Sequence, residues 1–488
     1  MSPITVTITI IAYFIILFTV SWLAGRKTDN QGFFLGGRKQ PWFLVAIATM
    51  GSFLSGVTFV SVPGMVADKS FSYLQMVMGF VVGQFIIAFV LVPLFYKMKL
   101  VSVYQYLEDR FGVRSHKTGA WFFFISKMLG ASVRLFLVCL TLQLLVFEPF
   151  HLPFVLNVFL TVFLVWIYTC RGGVKSVIWT DVLKSLCLIL SVVLCIVFIS
   201  SELNLGFKGM FQSISNSSMS QVFYFDDVND KRYFFKQFIA GIFTMIATTG
   251  LDQDMMQRNL SCRNYKDSQK NMMVSIVCQF FINLLFLMLG VLLYVFASKV
   301  GITATGDTLF PAVATSQYLP AIVGVLFVVG LFSAAYSAAG SALTALTTSF
   351  TLDILDADKK NANDPNGTSL TKTRKTVHVF MALLMAVVIY VFGLLNNTSV
   401  IDAVYVLASY TYGPILGMFA FGIIVKAKTK DKYVPLVAIV SPILCFILQE
   451  NSETWFNGYK FSYELLILNA LFTFIGLCLL ISRNNAKK

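Results

Sequence analysis

Apolar residues along this chain come in long unbroken runs, without the alternation of a half-buried strand or the three-to-four-residue rhythm of a helix on a soluble core. Runs of 18 or more nearly uncharged residues recur from end to end, and a helix of that length crosses a hydrocarbon core of about 30 Å. They predict thirteen spans, at about 4–24, 41–63, 72–96, 118–147, 152–170, 176–200, 234–255, 271–298, 319–350, 376–395, 399–425, 433–449 and 462–482. Because the runs are apolar on every face, a transmembrane barrel is excluded; its strands would show segments of about ten alternating residues. The first run has no charged segment before it and no small-residue cleavage site, so it reads as a retained helix. The pattern predicts an all-α polytopic membrane protein.

Composition agrees. Only 12% of the 488 residues are charged and 57% are hydrophobic, against roughly 25% charged in a soluble chain. The net charge of +14 suggests nucleic acid until its placement is followed. Alternate connections hold Arg26, Lys27, Arg38 and Lys39; Lys97, Lys99, Arg110, Arg114 and Lys117; Arg171 and Lys175; Arg258, Arg263, Lys266 and Lys270; the 353–375 segment; Lys426 to Lys432; and Arg483, Lys487 and Lys488. Together they carry 27 of the 37 lysines and arginines. The positive-inside rule then puts the N-terminus outside and the C-terminus in the cytoplasm of a cell (inner) membrane protein. The basic excess faces the cytoplasm, so the expected partners are the bilayer and a small solute, with no nucleic acid and no obligatory protein partner. The longest connections, 201–233 outside and 353–375 inside, are too short to fold alone, and the second reads as a flexible linker. A single domain over 1–488 follows. Eight scattered cysteines read as small buried hydrophobes. His116, His151 and His378 are far apart, and no phosphate-binding loop occurs, so neither an enzyme nor an ATP-driven motor is expected.

Two spans carry small polar residues at mid-membrane depth. The second contains Thr49-Met50-Gly51-Ser52-Phe53-Leu54-Ser55-Gly56-Val57-Thr58, and the seventh ends Thr248-Thr249-Gly250-Leu251-Asp252-Gln253. Glycines flanked by hydroxyls permit close helix packing, and equally permit unwinding that frees backbone carbonyls for a cation. The two lie five spans apart. An odd offset of this kind is what an inverted repeat requires, here spans two to six and seven to eleven, at about 41–200 and 234–425, with one helix before and two after.

Local motifs then carry a resemblance. Gly36-Gly37-Arg38, Tyr106-Leu107-Glu108-Asp109-Arg110-Phe111, Gly172-Gly173 followed by Val177-Ile178-Trp179-Thr180-Asp181, Gln257-Arg258-Asn259-Leu260, and Tyr412-Gly413-Pro414 with Gly417 and Phe419 occur in the order and spacing of the sodium:solute symporter family. The chain resembles that family over roughly 4–450. The resemblance implies a LeuT-like 5+5 fold, Na+ as the co-transported ion and no organic cofactor. It implies a principal cation site from the carbonyls of Gly51, Leu54 and Ala334 and the hydroxyls of Ser337 and Ser341. Ser333, Ser337 and Ser341 share one helix face, and hard oxygens suit a small hard cation. In a departure from the family, Ala338 stands where a second hydroxyl is usual. Asp181 would serve a second cation site, but Lys184, three residues on, offers it an ion pair instead; both readings stand on the sequence.

For the solute, Arg134 sits mid-span, where an arginine costs roughly 2.5–3.5 kcal/mol on insertion scales. Its position resembles the arginine with which sialic acid carriers of this family hold a carboxylate, and Ser55 and Thr58 match hydroxyls used there. Gln279 falls at a polar solute-ligand position, and Thr248 and Thr249 at the family's aromatic gate positions. Lys127, a heptad before Arg134, is expected to snorkel to the interface. Asp252 and Asp254 are expected to pair locally with Arg258, and Gln75 and Gln84 are candidates for the pocket wall. The function expected is sodium-coupled symport of a small organic solute with a carboxylate, such as sialic acid or a monocarboxylate, by alternating access. The alternatives are a proton-coupled carrier titrating Asp181, or a sodium symporter for a neutral solute (sugar, proline) or iodide. A channel would need a continuous polar stripe, which is missing.

Overall fold

The computed structural model describes residues 3–25, 33–34, 40–170, 173–360, 368–395, 400–425, 427–459, 461 and 463–481. Arg26, Lys27, the Gly36-Gly37-Arg38 motif, Lys39, Arg171, Gly172, Lys426, Lys460, Arg483, Lys487 and Lys488 lie outside these. The expected second span is two helices, α2 (Trp42–Phe53) and α3 (Gly56–Gly64), whose axes differ by 52°. Before them comes α1 (Pro3–Gly25), and after them α4 (Tyr73–Ile86), α5 (Val113–Leu142), α6 (Phe154–Thr169) and α7 (Gly173–Glu202). The expected seventh span is also broken. Its first part, α8 (Phe234–Met245), widens into a π turn over Ile246–Gly250 and is followed at 70° by α9 (Gln253–Asn259). Then come α10 (Tyr265–Val300), α11 (Ala321–Ser349), α12 (Thr368–Leu395), α13 (Val400–Ile424), α14 (Val434–Glu450) and α15 (Leu465–Leu479).

Among the described residues nine helices are long and apolar enough to span, or eleven with each bent pair taken as one. The other two expected spans are α6 and α15, of 16 and 15 residues. At 1.5 Å per residue they are about 24 and 22 Å long, short of a 30 Å core. By length and composition alone, up to eleven of the thirteen expected crossings are met among the described residues, and α6 and α15 are apolar but shorter.

A helix that restarts inside the bilayer exposes new N–H groups with no water to satisfy them. Side-chain caps supply the partners. Ser55 accepts from the Thr58 N–H at 3.4 Å, and the Asp252 carboxylate accepts from Asp254 N–H at 2.8 Å and Met255 N–H at 3.2 Å. Both breaks thus fall a few residues C-terminal to Gly51 or Gly250, where a capping residue begins the next helix.

The broken pairs are wedged among longer helices: α2 packs on α7 and α10, α3 on α10 and α11, and α8 on α4. The last contact is a glycine seam. A Cβ on Gly79 would lie 2.2 Å from Phe238 O, one on Gly83 2.6 Å from Ile242 O, and one on Gly241 2.3 Å from Met76 O. Small residues here let two backbones touch. Two of the family-like motifs make structural contacts. Tyr106 stacks on Phe419 at 5.2 Å, and Arg110 donates to Gly422 O at 3.1 Å and to the carbonyls of Val425 and Ala427 beyond the end of α13.

The 353–375 segment, expected as a linker throughout, begins with a buried residue. Asp353 accepts from Ser102 Oγ (2.7 Å), Ser349 Oγ (2.8 Å) and the His116 ring (3.0 Å), tying the loop before α5 to the end of α11. The glycine seam yields a prediction. Gly79→Leu should lower thermal stability in detergent by about 1–3 kcal/mol or prevent folding, since overpacking here meets backbone; an unchanged melting curve would mean the seam is looser than described.

Candidate functional site

The break between α2 and α3 meets α11 near its middle. A Cβ on Gly56 would sit 3.4 Å from the Ala335 Cβ. Leu54, at φ −92° and ψ 86°, has left the helical ladder and is fully buried, as is Ala334. One turn along α11, the buried Ser337 hydroxyl has no hydrogen-bond partner. Ser341 donates to Asp254 Oδ2 at 3.0 Å and to Ala338 O at 3.2 Å. On the other side of the break, a Cβ on Gly51 would overlap Ser185 Oγ at 1.9 Å, so α2 lies directly on α7. Buried polar atoms are rarely left unmatched. The Ser337 hydroxyl is such an exception, on the helix that packs against the break.

Beside this place lies a cluster of six buried charges, Lys127, Asp181, Lys184, Asp252, Asp254 and Arg258, none more than 6% exposed. Lys127 Nζ is 3.1 Å from Asp252 Oδ2 and 2.7 Å from Asp254 Oδ2. Arg258 is 3.5 Å from Asp254 and 2.8 Å from Asp181 Oδ2, and it donates to Ala48 O at 3.2 Å. Lys184 Nζ is 3.2 Å from Asp181 Oδ1. Three expectations change. Lys127 does not snorkel, because two carboxylates hold it inside. Arg258, expected in a cytoplasmic connection, is buried in α9. Asp252 pairs with Lys127 and accepts from the Tyr412 hydroxyl, while Arg258 contacts only Asp254 of the two. Asp181, expected as a cation ligand, has each oxygen within ion-pair distance of a basic side chain.

The residues expected to meet solute converge. Ser55, Thr58, Arg134, Thr248, Thr249 and Gln279 all line one cavity of about 120 Å³, several times what one water requires. Thr248 donates to Thr244 O at 2.8 Å, Ser55 and Thr58 hydroxyls are 3.4 Å apart, and Gln279 Oε1 is buried without a partner. Arg134 is half-buried in the wall and has no anionic partner among the described residues, whereas Lys127, in the same wall, has two. Gln75 and Gln84 are not in the wall. Gln75 donates to Arg232 O at 2.8 Å, and Gln84 is buried elsewhere. Tyr73, Ser126, Asp252, Tyr405 and Tyr412 also line the cavity. Lys127 and Ser126 were findable, being about two turns before Arg134 on the same helix face. The tyrosines carry no signal in an aromatic-rich chain.

A second cavity of about 540 Å³ opens on the other side of Tyr73, lined by Asp68, Lys69, Asp230, Lys231, Arg232 and Tyr463 among others. The Tyr73 and Tyr405 hydroxyls are 3.0 Å apart between the two spaces. The Arg232 guanidinium grips Asp230 at 2.8 Å and holds its carboxyl below the usual carboxylate range.

A sodium/sialic acid symporter of Aliivibrio fischeri is 25% identical over 449 residues, covering 87% of this chain and 83% of its own. The sodium-coupled monocarboxylate transporter 2 of Mus musculus is 25% identical over 407 residues, and the match covers 82% of this chain but 64% of the mouse protein. Among solved structures, a Na+-coupled sialic acid symporter in a substrate-bound outward-open state superposes with TM-score 0.82 at 20% identity, over 97% of both chains. The sodium:solute symporter family is matched across residues 33–431, most of the chain, and it is to this family that the protein belongs.

Proposed function

We propose that this symporter carries a small organic anion with a carboxylate, held by Arg134. The observation behind this reading is an arginine in the wall of a buried cavity with no counter-ion among the described residues. An isolated guanidinium in a bilayer is costly, and a solute carboxylate offsets that cost with two parallel hydrogen bonds. Ser55, Thr58, Thr248, Thr249 and Gln279 supply hydroxyl and amide contacts around it. The sialic acid and monocarboxylate relatives support the same class of solute. Sodium binds against the carbonyls of Gly51, Leu54 and Ala334 and the hydroxyls of Ser337 and Ser341, and Ser337's unmatched oxygen supports this placement.

In this reading the chain is one domain with inverted halves at about 41–200 and 234–425, its N-terminus outside the cell membrane and its C-terminus cytoplasmic. Sodium joins α11 to the α2–α3 break and favours the outward-facing arrangement. Solute closes the cavity, and rocking of the broken helices opens both sites to the low-sodium interior.

Two outcomes test this. In proteoliposomes, uptake of N-acetylneuraminate, lactate or pyruvate should follow an imposed sodium gradient at constant pH and stop when choline replaces sodium. Ser337→Ala should raise the half-saturating sodium concentration by roughly tenfold, about 1.4 kcal/mol. Uptake that tracks a proton gradient instead would replace the ion. Separately, Arg134→Ala should weaken binding of the carried anion by roughly 10- to 150-fold, the loss of a charged hydrogen-bond pair worth about 1.5–3 kcal/mol. If sugar, proline or iodide binds natively and Arg134→Ala leaves it intact, the carboxylate assignment is wrong.

A further inference from the structure

The six buried charges balance: Lys127, Lys184 and Arg258 against Asp181, Asp252 and Asp254. Within this set Lys184 has surroundings unlike those of an ordinary ion-pair lysine. The residue is 1% exposed, and its ammonium has three donors to satisfy. One goes to Asp181 Oδ1 at 3.2 Å and one to the Tyr336 carbonyl at 3.1 Å, while the Tyr168 ring lies 4.3 Å away and offers its π face. The Tyr168 hydroxyl donates to the same Tyr336 carbonyl, closing the cage. A carboxylate oxygen, a backbone carbonyl and an aromatic face are surroundings that suit a free monovalent cation. Here the side chain of Lys184 fills them.

We infer that Lys184 is a tethered cation standing permanently where a second sodium ion would bind, so that the carrier runs on a single sodium per cycle. This rests on the sodium-coupled reading and adds the ion count to it. The driving principle is charge neutrality in a medium that solvates ions poorly. With Lys184 in place the cluster sums to zero and a further cation has no charge to neutralise. With its ammonium removed the cluster carries one net negative charge beside a cavity of the ammonium's size, and sodium restores the balance.

The test is equilibrium binding of 22Na+ to the purified full-length protein, by scintillation proximity with no solute added. The native chain should bind a single ion and Lys184→Ala a second, while the double variant Asp181→Asn with Lys184→Ala should return to a single ion. Two ions on the native chain, or no extra ion on Lys184→Ala, would overturn the inference. A native chain that binds none while Lys184→Ala binds one would remove the principal sodium site yet uphold the role of Lys184; if neither binds, both fail. Should Lys184→Ala be too unstable to count, its melting temperature in sodium chloride against choline chloride decides. Stabilisation by sodium beyond that of the native chain supports the inference, and equal curves overturn it.

Discussion

Everything near the middle of this molecule answers to the requirement that charge inside a bilayer be balanced. Three acids and three bases drawn from α5, α7 and α9, with Asp252 in the break before α9, are packed within reach of one another, each nearly devoid of solvent. Removing one member of a buried pair strands the other, which generally destabilises by about 3–5 kcal/mol. These helices therefore hold a defined register. Arg134 is the charge in the cavity wall left out of this balance, and the proposed solute carboxylate would complete it.

The helix breaks and the ion cluster are one construction. Asp252 caps α9 through two backbone N–H groups and also receives Lys127 and Tyr412. Asp254, two residues on, receives Lys127 and the Ser341 hydroxyl. A single bent segment thus touches the cavity through Asp252 and the serine-bearing face of α11 through the Asp254–Ser341 hydrogen bond. Thermodynamic coupling between two ligands needs an element whose energy both sites bias, and with the sites proposed above this segment would be that element.

Much of this was legible in the sequence. Hydrophobic runs gave helices at all thirteen expected places, because apolar length is a direct physical requirement of the bilayer. The offset between polar breaks gave the two bent pairs. The six solute-site candidates share one cavity, although their roles rest on the proposal above. What failed to show were contacts set by three-dimensional approach. Lys127 looked like an interfacial lysine because its carboxylate partners are 125 residues or more away in the chain. Asp353 looked like part of a polar linker because two of its partners, Ser102 and His116, come from 251 and 237 residues away in the chain. Glycine drew attention to the breaks, yet the hinge positions were decided by Ser55 and Asp252, whose capping bonds appear only once the helix has turned.

The phenol pair between the two cavities has its own consequence. Tyr73 and Tyr405 meet through one hydrogen bond, and Tyr405 rests on the Tyr463 ring at 4.7 Å. Parting them takes rotation about side-chain bonds, a local motion, against micro- to milliseconds for swinging a helix. In the transport cycle proposed above, opening at that end would therefore ask for a local side-chain movement, and the rest of the cycle for movement of whole helices.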